Sequence, residues 1–470
     1  MRAIVSPRRF TGAVRVPASK SHTIRRLLMA ALGEGVSVID YPLDSLDARS
    51  CVSVCRTLGA EIAEGRSADP ACPNPPDEGG QKLSRWTVRG LSAPRSPLPP
   101  SPAPLLLDVG NSGTTLFLAL AAGALWDRPV RFTGDEQIAR RSAGPLLEAL
   151  AGLGIRVSAG AGGCVPITVA GPWRGGRVSL PCPTSQYLSA LLLAAPLAPA
   201  GALTEIEVPL LNERPYIELT LSYLKAQGIP FEGAADFSFF RIPGGGSYRP
   251  LKGPVPGDFS SAAFPAAAAA ITGGPVYLRG LSPEDPQGDK ALFDMLSRMG
   301  CDIAWTREGA DREAGGPETG GQAGPPEWRL SVSRTGPLRG GEFDLNATPD
   351  LLPVMAVCAA YARGDTSLVN VAHARIKETD RIAVMAAELG KLGVPCTERP
   401  DGLCIHGMGD TRSPAGPGPR RVEGHGDHRI VMALAAAALG SAGPLEITDA
   451  ESAAITYPGF LELLGAGIVY

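Results

Sequence analysis

The sequence has no excess of basic residues. It contains 44 Lys and Arg against 47 Asp and Glu, which gives a formal net charge of −3 over 470 residues. Proteins that bind nucleic acid or an anionic membrane surface through charge usually carry a clear basic excess. We therefore expect neither partner, and any cationic site must be local.

Two further features are missing from the sequence. The nine cysteines are scattered, apart from Cys51 and Cys55, and no four of them have the spacing of a zinc site. No run approaches the roughly 18 to 20 apolar residues of a membrane span, and the first ten residues, MRAIVSPRRF, lack the apolar core of a signal peptide. We expect a cytoplasmic protein with reduced thiols.

The composition that remains is that of a folded protein. Hydrophobic residues make up 44% and charged residues 19% of the chain, as in ordinary globular proteins. A chain of 470 residues exceeds one ordinary core, so two domains or one repetitive architecture are expected. Stretches rich in Gly and Pro predict surface insertions at about 64–80, 92–104, 307–326 and 410–420. Between the first two, KLSRWTVRG alternates like a strand.

Six segments of the sequence share one pattern. A polar turn with glycine, serine, threonine or charged residues leads each time into a helical segment rich in Ala and Leu, with starts near 20, 110, 184, 257, 348 and 426. Segments such as VRFTG and PVYLRG between them alternate like strands, and more polar helical segments such as RSAGPLLEALAGLG and RIAVMAAELGKLG occur as well. The recurrence predicts a repeated unit of strands, a buried small-residue helix and a second helix.

The first of these helices begins with cations. Lys20, Arg25 and Arg26 lie at the start of a strong helix former, LLMAAL, where the helix dipole is already positive. Ser21 and Thr23 are residue types that cap a helix start. A solvated basic helix end is the ordinary explanation, and a bound anion is the functional one.

Three other helix starts carry groups that can hold an anion. In GNSGTT, Gly110 and Gly113 allow a ligand to approach the backbone closely. Arg140 and Arg141 precede the helix of RSAGPLLEAL. The segment TSQYLSALLLAAPLA places three polar side chains at its start, Thr184, Ser185 and Gln186, and a single N-cap explains one hydroxyl but not all three groups.

The densest cluster of charge lies in HARIKETDRI. Five charged residues fall within seven positions, namely Arg375, Lys377, Glu378, Asp380 and Arg381, and Asp350 adds an acid at another helix start. Such a cluster is often a solvated surface. A carboxylate held among lysines and arginines is also suited to moving protons, while the cations bind anionic groups of a substrate. In HGDHRIVMALA, His428 and Arg429 begin a helix, and no acid stands near these histidines at metal-ligand spacing.

Together, these stretches resemble the EPSP synthase family, the 3-phosphoshikimate 1-carboxyvinyltransferases. The resemblance runs from about residue 10 to about residue 460, apart from the insertions. The pieces that carry it are, in chain order, PASKSHTIR, GNSGTT, TSQYLSALLLAAPLA, GDFSSAAF, HARIKETDRI and GDHRIVMA.

The resemblance implies the fold. It is an α/β fold, a two-domain inside-out α/β barrel built from six repeated βαβαββ units, with helices inside and sheets outside. The first, discontinuous domain would hold residues 1–13 together with 254–470, and the second residues 14–253. The resemblance also implies that the domains close around the active site, and we expect a monomer.

The resemblance further implies the reaction. The enolpyruvyl group of phosphoenolpyruvate would pass to the 5-hydroxyl of shikimate 3-phosphate with release of phosphate, as in chorismate and aromatic amino acid biosynthesis. The partners would be these two small molecules, without nucleic acid or membrane, and the reaction would need no metal and no cofactor.

The resemblance assigns roles to individual residues. Asp350 would be the base at the 5-hydroxyl and Glu378 the proton relay at C3, with Lys20 also catalytic. Shikimate 3-phosphate would be bound by Lys20, Ser21, Arg25, Thr184, Ser185, Gln186, Asp350 and Lys377. Phosphoenolpyruvate would be bound by Lys20, Gly113, Arg141, Gln186, Arg381 and Arg429.

Three positions depart from the family pattern. Phe117 stands where the family usually has an arginine, Ile455 where it has a lysine, and Glu213 where it often has a small hydroxyl residue near the substrate phosphate. These departures leave two alternatives, a transferase for another acceptor such as a UDP-sugar and a non-catalytic relative that binds a phosphorylated ligand. The sugar-nucleotide branch typically uses a loop cysteine, and no cysteine lies between Cys72 and Cys164, which disfavours the first.

Overall fold

The computed structural model describes residues 1–66, 84–91, 103–308, 327–409 and 420–469. These residues form two compact units. The terminal unit holds residues 1–19 and the described part of 256–469, and the middle unit holds the described part of 20–255. Most of the predicted Gly/Pro-rich insertions lie outside the described residues. The predicted domain limits at 13/14 and 253/254 stay a prediction.

The described residues form short strands throughout both units. Numbered along the chain, they are β1 (Arg2–Val5), β2 (Gly12–Arg15), β3 (Val36–Asp40), β4 (Glu61–Arg66), β5 (Ser84–Arg89), β6 (Leu105–Asp108), β7 (Val130–Thr133), β8 (Arg156–Ser158), β9 (Ile167–Ala170), β10 (Gly176–Ser179), β11 (Leu203–Glu207), β12 (Glu232–Gly233), β13 (Phe239–Pro243), β14 (Lys252–Pro254), β15 (Val276–Arg279), β16 (Asp302–Glu308), β17 (Glu327–Ser333), β18 (Glu342–Asp344), β19 (Arg363–Val369), β20 (Cys396–Arg399), β21 (Gly402–Met408), β22 (Arg420–Val422), β23 (Leu445–Thr448) and β24 (Gly467–Val469).

Helices alternate with the strands. They are α1 (Lys20–Leu32), α2 (Leu46–Leu58), α3 (Gly113–Gly123), α4 (Gly144–Gly152), α5 (Gln186–Ala194), α6 (Arg214–Gln227), α7 (Phe259–Thr272), α8 (Ala291–Arg298), α9 (Leu352–Ala360), α10 (Arg381–Lys391), α11 (His428–Gly440) and α12 (Phe460–Leu463). The six predicted apolar helices are confirmed as α1, α3, α5, α7, α9 and α11, and the two predicted polar helices as α4 and α10. Within the described residues, no helix combines the length and apolar character needed to cross a membrane.

The strands pair into four-stranded sheets that share one pattern. The middle unit has the spatial orders β14-β3-β5-β4, β6-β7-β9-β8 and β10-β11-β13-β12, and the terminal unit has β2-β15-β17-β16, β18-β19-β21-β20 and β22-β23-β1-β24. In each order the first pair is parallel and the next two pairs are antiparallel. Because β1 and β2 join strands from the second half of the chain, the terminal unit is built from both ends.

The strand predicted from KLSRWTVRG is confirmed as β5. The predicted start of the insertion before it, at about residue 64, is too early. The insertion expected from residue 64 begins after β4, since Glu64, Gly65 and Arg66 pair with Trp86, Arg85 and Ser84. In the same way, residues 307 and 308 belong to β16 and residue 420 to β22. Register with a partner strand therefore overrides the local Gly and charge signal.

Helices with small side chains form much of the core of the terminal unit. Every residue of α9 is buried, and in α7 and α11 only the last residue is not. Alanine dominates these helices, so their backbones can pack closely. A Cβ at Gly440, the last residue of α11, would lie 2.3 Å from Ile271 Cγ2 of α7. Larger side chains fill the ends of this core, as in the edge contact of Phe264 with Phe460 at 5.8 Å.

We predict that Gly90→Ala destabilises the protein by about 1–3 kcal/mol. A Cβ at Gly90, directly after β5, would lie 2.1 Å from the Gly33 carbonyl oxygen and 2.5 Å from the Ala30 carbonyl oxygen. Ala30 lies in α1 and Gly33 directly follows it, and these backbone atoms cannot move aside cheaply. Urea unfolding of the full chain measures the change.

The matched control is Gly65→Ala in the neighbouring strand β4, where no atom lies within 4 Å of a Cβ. It should change the free energy of unfolding by less than about 0.5 kcal/mol. Equal losses in the two variants would contradict the close approach of the Gly90 backbone to α1.

Candidate active site

The start of α1 is balanced in part by an acid of the chain itself. The helix begins at Lys20, so Ser21 and Thr23 lie inside it and do not cap it, contrary to expectation. The Thr23 hydroxyl instead accepts from the Leu43 N–H at 3.0 Å. Lys20 Nζ lies 3.0 Å from Asp47 Oδ2, a buried carboxylate in the first turn of α2. Sequence reasoning missed Asp47, because nothing in the sequence pairs it with α1.

Arg25 is a buried cation whose described contacts are with neutral groups. Its guanidinium is 2% exposed and donates to Thr220 Oγ1 at 2.9 Å, Ser189 Oγ at 3.3 Å and the carbonyls of Ser21 and Tyr216. Burial lowers the pKa of Arg25 to about 10, against the raising influence of Tyr223 and Tyr216. A buried guanidinium held by neutral acceptors keeps its full charge available for an anion.

The GNSGTT stretch and the arginines that precede the helix of RSAGPLLEAL meet at α3. Arg141 Nη1 lies so near the backbone of Gly113, the first residue of α3, that a Cβ there would be 2.2 Å away. Gln186 Nε2 donates to Thr114 Oγ1 at 3.3 Å, which joins the start of α5 to α3. The structure therefore brings Gly113, Arg141 and Gln186 together, and it explains why position 113 has no side chain.

The hydroxyls at the start of α5 are held by Glu213. Glu213 Oε2 accepts from Thr184 Oγ1 at 3.1 Å, from Ser185 N–H at 2.9 Å and from Ser185 Oγ at 2.8 Å. All three residues are buried. Ser185 stands at the N-cap of α5 without a side-chain cap bond of its own, because its hydroxyl points to the acid.

In the terminal unit, one arginine binds three carboxylates. Arg381, the first residue of α10, is fully buried and donates to Asp350 Oδ1 at 2.7 Å, Glu378 Oε2 at 2.5 Å and Asp427 Oδ2 at 2.8 Å. Burial alone lowers the pKa of Arg381, but the charges of Asp427, Glu378 and Asp350 outweigh it and raise the pKa. The guanidinium is therefore permanently charged.

Asp350 lies between two arginines. Besides Arg381, it contacts Arg429 at 2.8 Å from Nη2 to Oδ2, and its side chain stays 19% exposed. Burial raises the pKa of Asp350, yet attraction to Arg429, Lys377 and Arg381 is stronger, and the net pKa is well below its usual range. The structure thus brings together Asp350, Glu378, Arg381 and Arg429, with the charge of Lys377 acting on the same carboxylate.

Comparison with known proteins shows the family to which this chain belongs. A model of the EPSP synthase (3-phosphoshikimate 1-carboxyvinyltransferase) family matches residues 4–464. The curated 3-phosphoshikimate 1-carboxyvinyltransferase of Ruminiclostridium cellulolyticum is 41% identical over 459 residues, covering 96% of this chain and 95% of the relative. That of Halobacterium salinarum is 39% identical over 472 residues, covering 99% and 98%. The chain belongs to the EPSP synthase family.

A solved structure agrees with this assignment. The EPSP synthase from Acinetobacter baumannii is similar with a TM-score of 0.75 and 26% sequence identity, covering 99% of this chain and 97% of that one. Mixed α/β sheets and helices are therefore common to this chain and a solved member of the EPSP synthase family.

Two of the positions that depart from the EPSP synthase pattern hold buried apolar side chains. Phe117 is 4% exposed and contacts the Tyr187 ring edge-on at 5.1 Å. Ile455 is 8% exposed and ends a short 3₁₀ helix. Burial of the Tyr187 ring raises the pKa of its hydroxyl, which donates to the Ser142 carbonyl at 2.5 Å. Both positions hold buried apolar side chains and supply no charge.

Two charged residues of HARIKETDRI have structural contacts. Asp380 caps α10 by accepting from the Ala383 N–H at 3.0 Å. Arg375 bonds Asp380 at 2.7 Å and Glu398 at 2.9 Å, away from Asp350 in these contacts. In this cluster, Asp380 and Arg375 therefore support the start of α10, while Glu378 and Arg381 belong to the candidate active site.

Sequence reasoning missed two acids of the site. Asp427 caps α11, accepting from the Arg429 N–H at 2.9 Å, and binds Arg381. Its signal was its N-cap position in GDHR. Asp289 lies in a short 3₁₀ helix, where it accepts from Ser260 Oγ, and burial followed by the charge of Asp350 raises its pKa to about 7. No local pattern marks Asp289.

Among the described residues, two groups of side chains outside this site have donors suited to a metal. One comprises Glu388, Glu423 and His425, and the other Asp365, Cys404 and His406. The sequence shows no acid paired with His425, but the fold places Glu388 Oε1 2.7 Å from His425 Nε2. Lys391 Nζ also lies 2.8 Å from Glu388 Oε1, so an ammonium already takes the place that a cation would need.

We predict that Arg381→Gln lowers the free energy of unfolding by about 3–5 kcal/mol at pH 7, because three carboxylates lose their shared cation. Burial and the charge of Glu378 raise the pKa of Asp427, but the charge and hydrogen bond of Arg381, together with His428, outweigh them and lower it in the folded chain. Pairing therefore stabilises above the ordinary carboxyl pKa and is lost as pH falls. The difference between variant and wild type should stay steady above about pH 4 and shrink as pH falls below it.

The control for Arg381→Gln is Arg2→Gln, which breaks a 3.0 Å pair with Glu446 in which the Arg2 side chain is 47% exposed. Urea titrations at several pH values should show a loss below about 1 kcal/mol for this control. A similar small loss in Arg381→Gln, or one independent of pH, contradicts the described network.

A second prediction concerns Asp289, whose pKa is raised from the ordinary value of 3.8 to about 7. The folded chain then binds more protons than the unfolded one between these values, so this group makes stability fall as pH rises. Asp289→Asn removes the effect. Its advantage over wild type should grow by up to about 1.4 kcal/mol per pH unit from pH 4 to 7.

Asp294→Asn on α8 is the control for Asp289→Asn, since Asp294 is exposed. Thermal unfolding across the pH range should show no such trend for it. A flat difference for Asp289→Asn would mean that Asp289 is ionised at acidic pH.

Proposed function

We propose that this chain transfers the enolpyruvyl group of phosphoenolpyruvate to the 5-hydroxyl of shikimate 3-phosphate and releases phosphate. The observation that carries the proposal is the carboxylate of Asp350, held between Arg429 and Arg381 with Glu378 on the same guanidinium. An acid among fixed cations suits proton transfer beside anionic substrates. The EPSP synthase family, to which the chain belongs, supports the reaction.

The proposed chemistry has two steps. The 5-hydroxyl oxygen bonds to C2 of phosphoenolpyruvate as its proton leaves and C3 gains a proton. The tetrahedral adduct then loses phosphate from C2 and a proton from C3, which restores the double bond. Asp350 would take the hydroxyl proton, and Glu378 would give and take the proton at C3.

Substrate charge explains how Asp350 can act as a base. In the ligand-free chain its pKa is well below the usual range, because attraction to Arg429, Lys377 and Arg381 exceeds the raising effect of burial. Anionic substrate groups that share these cations would weaken that attraction and raise the pKa of Asp350. A carboxylate with a higher pKa is the better proton acceptor. Substrate binding would therefore activate the base.

The middle unit would supply binding groups. We assign shikimate 3-phosphate to Lys20, Ser21, Arg25, Thr184, Ser185 and Gln186, and phosphoenolpyruvate to Lys20, Gly113, Arg141 and Gln186. The buried donors of Thr184 and Ser185 suit a phosphate, and the guanidinium of Arg25, which contacts neutral groups, suits a carboxylate.

The terminal unit would supply the other cations. We assign Lys377 to shikimate 3-phosphate, and Arg381 and Arg429 to phosphoenolpyruvate. Because Arg381 already binds three carboxylates, its main proposed effect is to hold Asp350 and Glu378 in place. Arg429, whose guanidinium contacts Asp350 at 2.8 Å, is assigned to direct binding of phosphoenolpyruvate.

We also propose the finer architecture. The shared strand pairing of the described sheets supports an inside-out α/β barrel of six repeated βαβαββ units. We retain a first domain of residues 1–13 and 254–470, a second of 14–253, a monomeric state and a cytoplasmic location as proposals. Sedimentation of the full chain would test the monomer.

Transfer to another acceptor and a purely binding role are not favoured. Relatives that cover nearly the whole chain carry the name 3-phosphoshikimate 1-carboxyvinyltransferase. A phosphate-release assay that compares shikimate 3-phosphate with a UDP-sugar as acceptor separates these functions.

We predict that Asp350→Asn lowers kcat for phosphate release at least about 100-fold, because positioned acid–base groups contribute roughly 10²–10⁴-fold. Shikimate 3-phosphate binding, measured by calorimetry, should change much less. The control is Asp302→Asn, an exposed acid on β16, which should keep wild-type turnover. Unchanged turnover in Asp350→Asn, or none in folded wild type, argues against the proposed function.

A further inference from the structure

The hydrogen-bond donors at the start of α5 that could bind a substrate anion already bind a carboxylate of the chain. Ser185 N–H, Ser185 Oγ and Thr184 Oγ1 converge on the single oxygen Oε2 of Glu213, at 2.9, 2.8 and 3.1 Å. A backbone N–H at a helix start together with two hydroxyls is a set of donors that suits one phosphate oxygen. The chain therefore fills with its own carboxylate the position that a substrate oxyanion would take.

The backbone at Glu213 is built around this contact. Glu213 has φ 58° and ψ 41°, the left-handed region that side-chain-bearing residues rarely adopt. It directly precedes α6, and its carbonyl accepts from the Tyr216 N–H at 3.1 Å. A conformation that is unfavourable locally persists where surrounding contacts over-determine it. Here the three bonds to Oε2 supply such contacts.

The negative charge of Glu213 acts on its surroundings. Burial raises the pKa of the Cys182 thiol to about 12, and the charge of Glu213 adds to the increase. Glu213 itself is 1% exposed, so water screens this charge poorly. A dianionic phosphate that entered these donors would meet the same charge at close range.

An internal carboxylate at this place has two opposite effects. Without substrate, it satisfies buried donors of Thr184 and Ser185 that would otherwise lack a partner. With substrate, a phosphate must take those donors away from Glu213 and overcome repulsion between like charges. A neutral hydroxyl of an acceptor faces no such repulsion.

We propose that Glu213 is a specificity-determining residue, which competes with the acceptor phosphate for Thr184 and Ser185 and so reduces the preference for a phosphorylated over a non-phosphorylated acceptor. The proposal rests on the proposed function, which assigns these two residues to the phosphate of shikimate 3-phosphate. It concerns the choice between shikimate 3-phosphate and shikimate, and not the chemical step.

The first test is binding to two variants of Glu213. Glu213→Gln keeps the length of the side chain and removes its charge, while Glu213→Asn also shortens it and suits the left-handed backbone. Calorimetry should show shikimate 3-phosphate binding on the order of tenfold tighter in both variants, because the phosphate no longer has to displace a charged carboxylate from Thr184 and Ser185. Binding of shikimate should change less than about twofold.

The control variant is Glu218→Gln. Glu218 lies on the same helix, α6, as an exposed carboxylate 3.5 Å from Arg214, so the substitution removes the same charge without touching α5. It should leave both affinities unchanged. An equal gain for shikimate 3-phosphate in this control would overturn the proposal, because net charge alone would then explain it.

Steady-state kinetics provide the second readout. In both Glu213 variants, KM for shikimate 3-phosphate should fall by on the order of tenfold while kcat stays within about threefold. A purely structural role of Glu213 would instead lower kcat or weaken both ligands together. Weaker binding of shikimate 3-phosphate in both variants, or equal shifts for shikimate, would overturn the proposal. If Glu213→Asn fails to fold, Glu213→Gln decides.

Inorganic phosphate separates this inference from the proposed function. If folded wild type shows no turnover with the two substrates, the proposed function fails, yet titration with inorganic phosphate still tests the competition. Tighter phosphate binding to the Glu213 variants than to wild type supports it. Phosphate binding that is no tighter in either variant, or undetectable in all proteins, overturns it.

Discussion

The buried guanidinium of Arg381 is the interaction on which the terminal unit's site depends. It is fully buried and shared by Asp350, Glu378 and Asp427, so three acids from different parts of the chain can be ionised close together. Without a shared cation, carboxylates at such distances repel each other and take up protons. Asp427 also caps α11 and bonds the Arg429 N–H, which fixes the start of the helix that carries the second cation of Asp350. One side chain thereby sets both the charge and the position of the proposed base.

The small-residue helices make this arrangement possible, and the sequence reveals them well. Runs of alanine and leucine after polar turns predicted α7, α9 and α11 because a helix with small side chains packs closely wherever it is buried. Strand ends were harder, as β4 shows: Glu64 to Arg66 look like the start of a loop, and only pairing with β5 makes them a strand. Local signals carry helix identity, whereas strand length depends on a partner far away in sequence.

The same contrast between local signals and distant partners holds for the residues of the site. Gly113, Arg141 and Gln186 stand out in their motifs, and the fold brings them together. Three acids that contact or influence other groups of the site carry no motif. Asp47, Asp289 and Glu213 lie in ordinary helix starts or turns, and their effect comes from contacts with residues at distant positions. Sequence reasoning could therefore identify cations and donors, but it could not find the charges that compensate them, because compensation is a property of tertiary contacts.

That compensation changes how ligand binding should be understood. Lys20 contacts Asp47, the hydroxyls before α5 contact Glu213, and Arg429 contacts Asp350. Each of these three sets of groups is already balanced by a carboxylate of its own unit, whereas the described contacts of Arg25 are with neutral groups. Binding is then an exchange of one anion for another, in which only the difference between the two appears as affinity.

The exchange also releases carboxylates from their cations, and a released carboxylate has a higher pKa. Where the released group is Asp350, the exchange would prepare the proposed base. Where it is Glu213, the exchange would only oppose binding, so the same physical principle would aid catalysis in one unit and limit substrate affinity in the other.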